Sequence, residues 1–249
     1  GNLTGSSSNG GGLGSSLLEG LKSPLLSAGI TAPNTGTTSS SGIGNTSVLS
    51  LVERAILEKR DIPLLVVICT KHIEKHGLYS EGIYRKSGGA SQIQALEVAF
   101  EDINGKFGMN SDVDINSEEI EKILGVDINV VSSVLKRYLR RLPEPVILYE
   151  LYDQYIACAL IKRHDKKIEK LKSIMAQLPK QHRFTLQMVT KHLNLVSLYS
   201  DLNFMNLHNL AIVFAPSLVR DLTGEREIAD MVNKNDVTEF LVSNYHQIF

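Results

Sequence analysis

The stretch Asp127-Ile128-Asn129-Val130-Val131-Ser132-Ser133-Val134-Leu135-Lys136-Arg137-Tyr138-Leu139-Arg140-Arg141-Leu142-Pro143-Glu144-Pro145 decides the fold class. Val131, Leu135, Leu139 and Leu142 recur at spacings of three and four, which lines one side of an α-helix and fits no strand. Asp127 supplies a side-chain oxygen where a helix start needs one, and Pro143 closes the other end. Outward from there, Ile93, Leu96, Phe100 and Ile103 make a second stripe, opening after Ser91 with Gln94 as capping-box partner and stopping at Gly105. Leu186, Val189, Leu193 and Val196 make a third, with Pro179 placed where a first turn tolerates it. Further helices are predicted near 62–76, 150–161, 166–177, 206–214 and 226–245. No strand pattern competes and no repeat is present, so residues 51–249 read as one all-α domain, a bundle of about eight or nine helices.

Residues 1–50 differ sharply. They hold 11 of the 19 glycines, 12 serines and two charges, Glu19 and Lys22, too little apolar surface to offset the entropy of ordering. This Gly/Ser-rich segment reads as a linker, or as an extension partly docked through Leu13, Leu17, Leu18, Leu21, Leu25, Leu26 and Ile30. Gly1 in place of Met reads as the start of an excised fragment.

The whole chain carries 26 basic against 27 acidic residues, so it has no broad positive field for nucleic acid. Its longest apolar run, Ile62 to Cys69, is far short of the roughly 20 residues that span a bilayer. Cys69 and Cys158 are isolated, which excludes a disulfide scaffold or a Cys-type zinc site and fits a reduced, cytosolic setting. Phosphate-loop, dinucleotide, Gly-x-Ser-x-Gly and His-Glu-x-x-His signatures are all absent. His72 and His76 are spaced i, i+4, but no carboxylate or third histidine lies at a supporting spacing nearby; they read as solvated helix histidines, with no metal expected.

Three segments stand out. Glu81-Gly82-Ile83-Tyr84-Arg85-Lys86-Ser87-Gly88-Gly89 is a glycine-bracketed loop with Arg85 at its centre, either a solvated charge or a working group. Lys136 and Arg140, four apart, share a helical face opposite the leucine stripe, so the run from Lys136 to Arg141 forms a cationic edge. Asn209 sits at the entrance of the apolar stretch Leu210 to Phe214, which Pro216 follows.

In this order and spacing, these segments resemble the Rho-type GTPase-activating domain, also called the RhoGAP or BH domain. The resemblance covers about residues 51–249 and includes Ile62-Pro63, the His76-Gly77-Leu78 turn, Leu139-Arg140-Arg141-Leu142-Pro143-Glu144-Pro145 and Asn209-Leu210-Ala211-Ile212-Val213-Phe214-Ala215-Pro216. Ser217 departs from it, standing where many members carry Asn.

The resemblance implies an activator of a Rho-family small GTPase, with Arg85 as an arginine finger inserted in trans. It further implies that Lys136 and Arg140 support the finger loop and contact the GTPase, that Asn209 bonds its switch region, and that Pro216 shapes the adjoining loop. Gly82, Gly88 and Gly89 are expected to let the loop approach the partner closely, with Tyr84 and Ser87 in the same loop. The chain needs no cofactor of its own, because Mg²⁺ and GTP belong to the GTPase. A monomer is expected, in the cytoplasm, recruited to the membrane or cortex by its parent protein or the lipidated GTPase. Two alternatives stay open: a silent binding or scaffolding module of the same fold, and an independent hydrolase built on Glu81 or Glu144, which lacks a nucleophile. A weak contact of the cationic edge with anionic lipid would be auxiliary.

Overall fold

A computed structural model of the protein describes residues 49–107 and 117–249, with residues 102–107 described by their backbone alone. The linker and docking expectations for residues 1–48 lie outside the described residues. Twelve α-helices run through the rest: α1 (Leu51–Glu58), α2 (Leu64–His76), α3 (Ala90–Phe107), α4 (Glu118–Leu124), α5 (Ile128–Arg141), α6 (Tyr152–Ala157), α7 (His164–Gln177), α8 (Lys180–Ser197), α9 (Ser200–Asn203), α10 (Leu207–Leu218), α11 (Met231–Ser243) and α12 (Tyr245–Ile248). Among the described residues the sole extended pairing is a single parallel bridge between Ile147 and Val219.

Helices α5, α8 and α10 supply the centre. The stripe residues Val131, Leu135, Leu139 and Leu142 are buried, as are Leu186, Val189, Leu193 and Val196 of α8 and Leu210, Phe214 and Leu218 of α10. Each such side chain contributes about 1.5–3 kcal/mol when fully withdrawn from water. Around this centre α10 packs on α5, α8 and α11, and α2 packs on α5 and α8.

The ends of the predicted helices hold in part. Asp127 caps α5, its Oδ1 accepting from the Asn129 amide at 2.8 Å, and Leu142 ends the helix just before Pro143. Pro179 sits at the N-cap of α8. By contrast α3 starts at Ala90, so Ser91 lies inside it rather than capping it, and it runs through Gly105 to Phe107. One interior glycine costs only about 1 kcal/mol, too little to stop a helix whose face is already buried. The predicted helix 226–245 begins at Met231 and breaks at Asn244, and 150–161 is split into α6 flanked by 3₁₀ turns at Tyr149–Leu151 and Cys158–Leu160.

Helices α1, α4 and α9 escape the periodicity reading because they are short, and they raise the helix count above eight or nine. A local signal for α1 did exist. Ser50 and Glu53 form a reciprocal capping box, with the Glu53 amide donating to Ser50 Oγ at 3.2 Å and the Ser50 amide to Glu53 Oε2 at 2.8 Å. Helix α4 also corrects the reading of His72 and His76, because it brings the Glu121 carboxylate beside both. No helix among the described residues is long and apolar enough to cross a membrane.

Candidate functional site

The loop from Leu78 to Gly89 joins α2 to α3 and carries two left-handed residues, Gly82 at φ +69° and Tyr84 at φ +70°. For a tyrosine that backbone costs on the order of 1–3 kcal/mol, so something must hold it. The side chain does. Its ring is fully buried and meets Phe214 of α10 edge-on at 4.7 Å between centroids, and its hydroxyl lies 2.6 Å from His192 Nε2. His192 Nδ1 in turn lies 3.2 Å from Glu74 Oε1. One neutral tautomer satisfies both contacts: Nδ1–H donates to Glu74 while Nε2 accepts from the phenol. Hydrogen bonds from His192 first, then from Lys71, hold the Glu74 carboxyl down to about 2, while burial lowers the His192 pKa and raises that of the Tyr84 phenol. Tyr84, expected as part of the exposed finger loop, is therefore a core residue whose strained backbone turns the next residue outward.

That next residue is Arg85. Its side chain is exposed and has no hydrogen bond or ion pair among the described residues, although its amide donates to the Gly82 carbonyl at 2.8 Å. The loop behind it is fastened at three places. Lys136 Nζ donates to the Tyr84 carbonyl, the Gly82 amide donates to the Asn203 carbonyl at 2.8 Å, and the Gly88 amide donates to Ser133 Oγ at 3.1 Å. A Cβ on Gly88 would stand 2.6 Å from Val130 Cα. Gly88 thus serves the seating of the loop on α5, and Gly82 serves its left-handed turn. Ser87 and Gly89 are exposed, and Lys86 is tied to Glu81 at 3.1 Å.

The basic run separates into different directions. Lys136 is half-buried against the loop, and burial lowers its pKa. Arg137 and Arg141 both reach Glu97 of α3, at 3.1 and 3.4 Å, whereas the Arg140 side chain is exposed without a partner among the described residues. The expected single cationic edge is therefore divided between the Arg85 loop, Glu97 and solvent. Arg220 donates to the Arg140 carbonyl and, at 2.5 Å, to the Leu142 carbonyl, satisfying open carbonyls at the end of α5 and tying it to the end of α10.

On α10 the N-cap is Asn206, whose Oδ1 accepts from the Asn209 amide at 2.8 Å, so Asn209 lies in the first turn, just ahead of the apolar stretch, without being the cap itself. Its Nδ2 donates to the carbonyl of Phe204, a left-handed residue at φ +58°, at 3.1 Å. Pro216 lies inside the last turn of α10, just ahead of the loop it was expected to shape. Asn209, Ile212 and Pro216 share the outer side of α10 at spacings of three and four, beside Phe204, which is 56% exposed. Ser217 is buried.

The fold thus connects Arg85, Lys136 and Asn209 through Tyr84, Gly82, Asn203 and Phe204, and it ties Arg140 and Pro216 through the joined ends of α5 and α10. Sequence reasoning missed the residues that do the connecting. Asn203 is buried, donating to the carbonyls of Leu78 at 2.8 Å and Val196 at 3.0 Å while accepting from the Met205 amide at 2.8 Å. Ser133, His192 and Glu74 were likewise unmarked, because each acts on a segment at least 45 residues away.

Comparison with known proteins bears on the family and the fold. Residues 63–223 match the family model of the RhoGAP domain. The chain is 37% identical over 223 residues to Rho-type GTPase-activating protein 2 of Saccharomyces cerevisiae, covering 80% of this chain and 22% of that protein. It is 35% identical to N-chimaerin of Homo sapiens, covering 81% of this chain and 41% of that one. The chain therefore spans about a fifth to two fifths of the length of these relatives. Its fold resembles the crystal structure of human Rho GTPase activating protein 15, with a TM-score of 0.67 and 30% identity over 81% of this chain and 90% of that chain. It also resembles the BH domain from Graf, with a TM-score of 0.64 and 26% identity over 80% of this chain and 97% of that chain.

Proposed function

Since the chain belongs to the RhoGAP domain family, we propose that it binds a GTP-loaded Rho-family small GTPase and accelerates its GTP hydrolysis by inserting Arg85 in trans. The observation that carries this reading is an exposed arginine without a partner among the described residues, projecting from a loop that is fastened from behind. Phosphoryl transfer to water spreads charge over the transferred group and the leaving oxygen, so a cation lowers the barrier only if it stands there in the transition state. A guanidinium stays protonated and presents a planar fork of donors to several oxygens at once. Holding the loop beforehand means that little ordering remains to be done when the complex forms.

In this reading the nucleotide, the Mg²⁺ and the group that orients the attacking water are the partner's. The chain is half of an active site, an enzyme activator rather than an enzyme, and it needs no cofactor of its own. It works as a monomer in the cytoplasm, brought to the membrane or cortex by its parent protein or by the lipidated GTPase. The strip of Asn209, Ile212 and Pro216 beside Phe204 forms a mixed polar and apolar contact surface, and Arg140 adds an exposed charge.

Single-turnover GTP hydrolysis by a panel of Rho-, Rac- and Cdc-type GTPases tests the reading. At least one should be accelerated by roughly 10³-fold or more, and the chain with GTP alone should release no phosphate. Binding to the GTP form of a panel member without acceleration of any would replace this reading with the silent scaffold.

Asn209 and its neighbour separate recognition from stability. Asn209→Ala should weaken GTPase affinity or activation while the melting temperature stays close to wild type, since the bond it loses, to the Phe204 carbonyl, is exposed. Leu210→Ala should destabilise the domain by about 2–5 kcal/mol through the cavity it leaves. Paired thermal melts and binding titrations check both, and an Asn209→Ala domain that melts like Leu210→Ala would return Asn209 to an internal role.

A further inference from the structure

His72 and His76 stand one turn apart on α2, and Glu121 of α4 faces both. Glu121 Oε2 lies 3.9 Å from His72 Nδ1 and 3.6 Å from His76 Nε2. One ring nitrogen of each histidine and a carboxylate oxygen all fall within 4.8 Å of one another. Such grouping on a surface is common without an ion, but one feature sets this one apart. The His72 side chain is only 9% exposed, and its Nδ1 is buried with no hydrogen-bond partner although it points at the other two groups. A buried lone pair or N–H left unpaired is unfavourable, and here it lies within 4.8 Å of two further ligand-type atoms, where a shared cation would satisfy it.

We propose that His72, His76 and Glu121 form a binding site for Zn²⁺ that joins α2 to α4, with a fourth coordination position open to water. Two imidazoles and one carboxylate are a zinc donor set, and imidazole selects against Mg²⁺ and Ca²⁺, which take oxygen. Ligand atoms on a tetrahedral zinc at about 2.0–2.1 Å stand roughly 3.3 Å apart, so small side-chain rotations close the present triangle. The other carboxylate oxygen is already held, with Lys75 Nζ 2.5 Å from Glu121 Oε1. That bond fixes the carboxylate with Oε2 turned to the histidines, as outer-shell partners of metal ligands do, while the nearby ammonium moderates affinity. The site uses none of the residues of the Arg85 loop and rests on none of the functional reading above. Its role is a cross-link: α4 packs on α3, and a metal would fasten it to α2 as well.

Isothermal titration of the whole chain with Zn²⁺, and in parallel with Mg²⁺, tests the proposal alongside thermal melts. One Zn²⁺ should bind per chain and Mg²⁺ should not. A hundredfold excess over Kd should raise the melting temperature by about 5–10 °C. His76→Ala and Glu121→Gln, both at accessible side chains, should each weaken Zn²⁺ binding by at least roughly tenfold while their metal-free melts stay near wild type. Absence of saturable Zn²⁺ binding, or one-to-one binding that persists unchanged in both variants, would overturn it.

Discussion

Arg85→Ala should lower the accelerated rate of GTP hydrolysis by about 10³–10⁵-fold while its melting temperature and its affinity for the GTP-bound GTPase change little. The reason is where the side chain sits. It is exposed and makes no hydrogen bond or ion pair among the described residues, so its removal opens no cavity and strands no partner in the free domain. The loop's shape does not depend on it either, because that is set by the buried Tyr84 ring, the Gly82 turn and the Ser133 contact. What is lost is a cation needed only when charge has developed on the transferring phosphoryl group. Such a loss appears in the chemical step, not in ground-state binding. Single-turnover hydrolysis beside a binding titration measures both. The wild-type affinity should also climb from the GDP form to the GTP form and again to a GDP–metal-fluoride mimic, and Arg85→Ala should remove mainly the second increment. Survival of the activity within a few fold would end the finger assignment.

Lys136→Met should lower the rate by about 10²-fold, more than it weakens binding. The sequence reading gave Lys136 and Arg140 one shared role, supporting the finger loop and contacting the GTPase, but the two differ in the fold. Lys136 donates to the carbonyl of Tyr84, the residue before Arg85, and is half-buried in doing so. Methionine keeps the stem and removes the donor, so the Tyr84 carbonyl loses its partner and the loop behind Arg85 loses one of its three fastenings. Looser placement of the guanidinium is costly in rate although few contacts with a partner change. Arg140→Ala is the contrast, since that side chain is exposed and unpaired among the described residues: affinity should fall, and salt should mask the difference. Full titration curves with rising domain concentration separate the two cases. Equal losses in affinity and rate for both variants would mean that Lys136 meets the GTPase rather than the loop.

The sequence by itself determined the helical class and the identity of the groups that could act. Stripes such as Val131, Leu135, Leu139 and Leu142 are legible because helical period is a local property, and so is the Asp127 cap. The Arg85 loop, the Lys136–Arg140 spacing and the Asn209 to Pro216 run were also visible, since each is contiguous in the chain. Short helices such as α4 were not, because too few turns exist to display a period. Only the tertiary structure decided what each group does. It buried Tyr84 beneath its own loop, turned Lys136 inward and Arg140 outward from one helix, drew Arg137 and Arg141 to Glu97, seated Gly88 against Val130, and set Glu121 beside two histidines on another helix. These outcomes depend on which helix faces which across separations of about 40 to 120 residues. Periodicity records which side of a helix is apolar; it carries no record of the neighbour that a polar side chain meets when the helices close on one another.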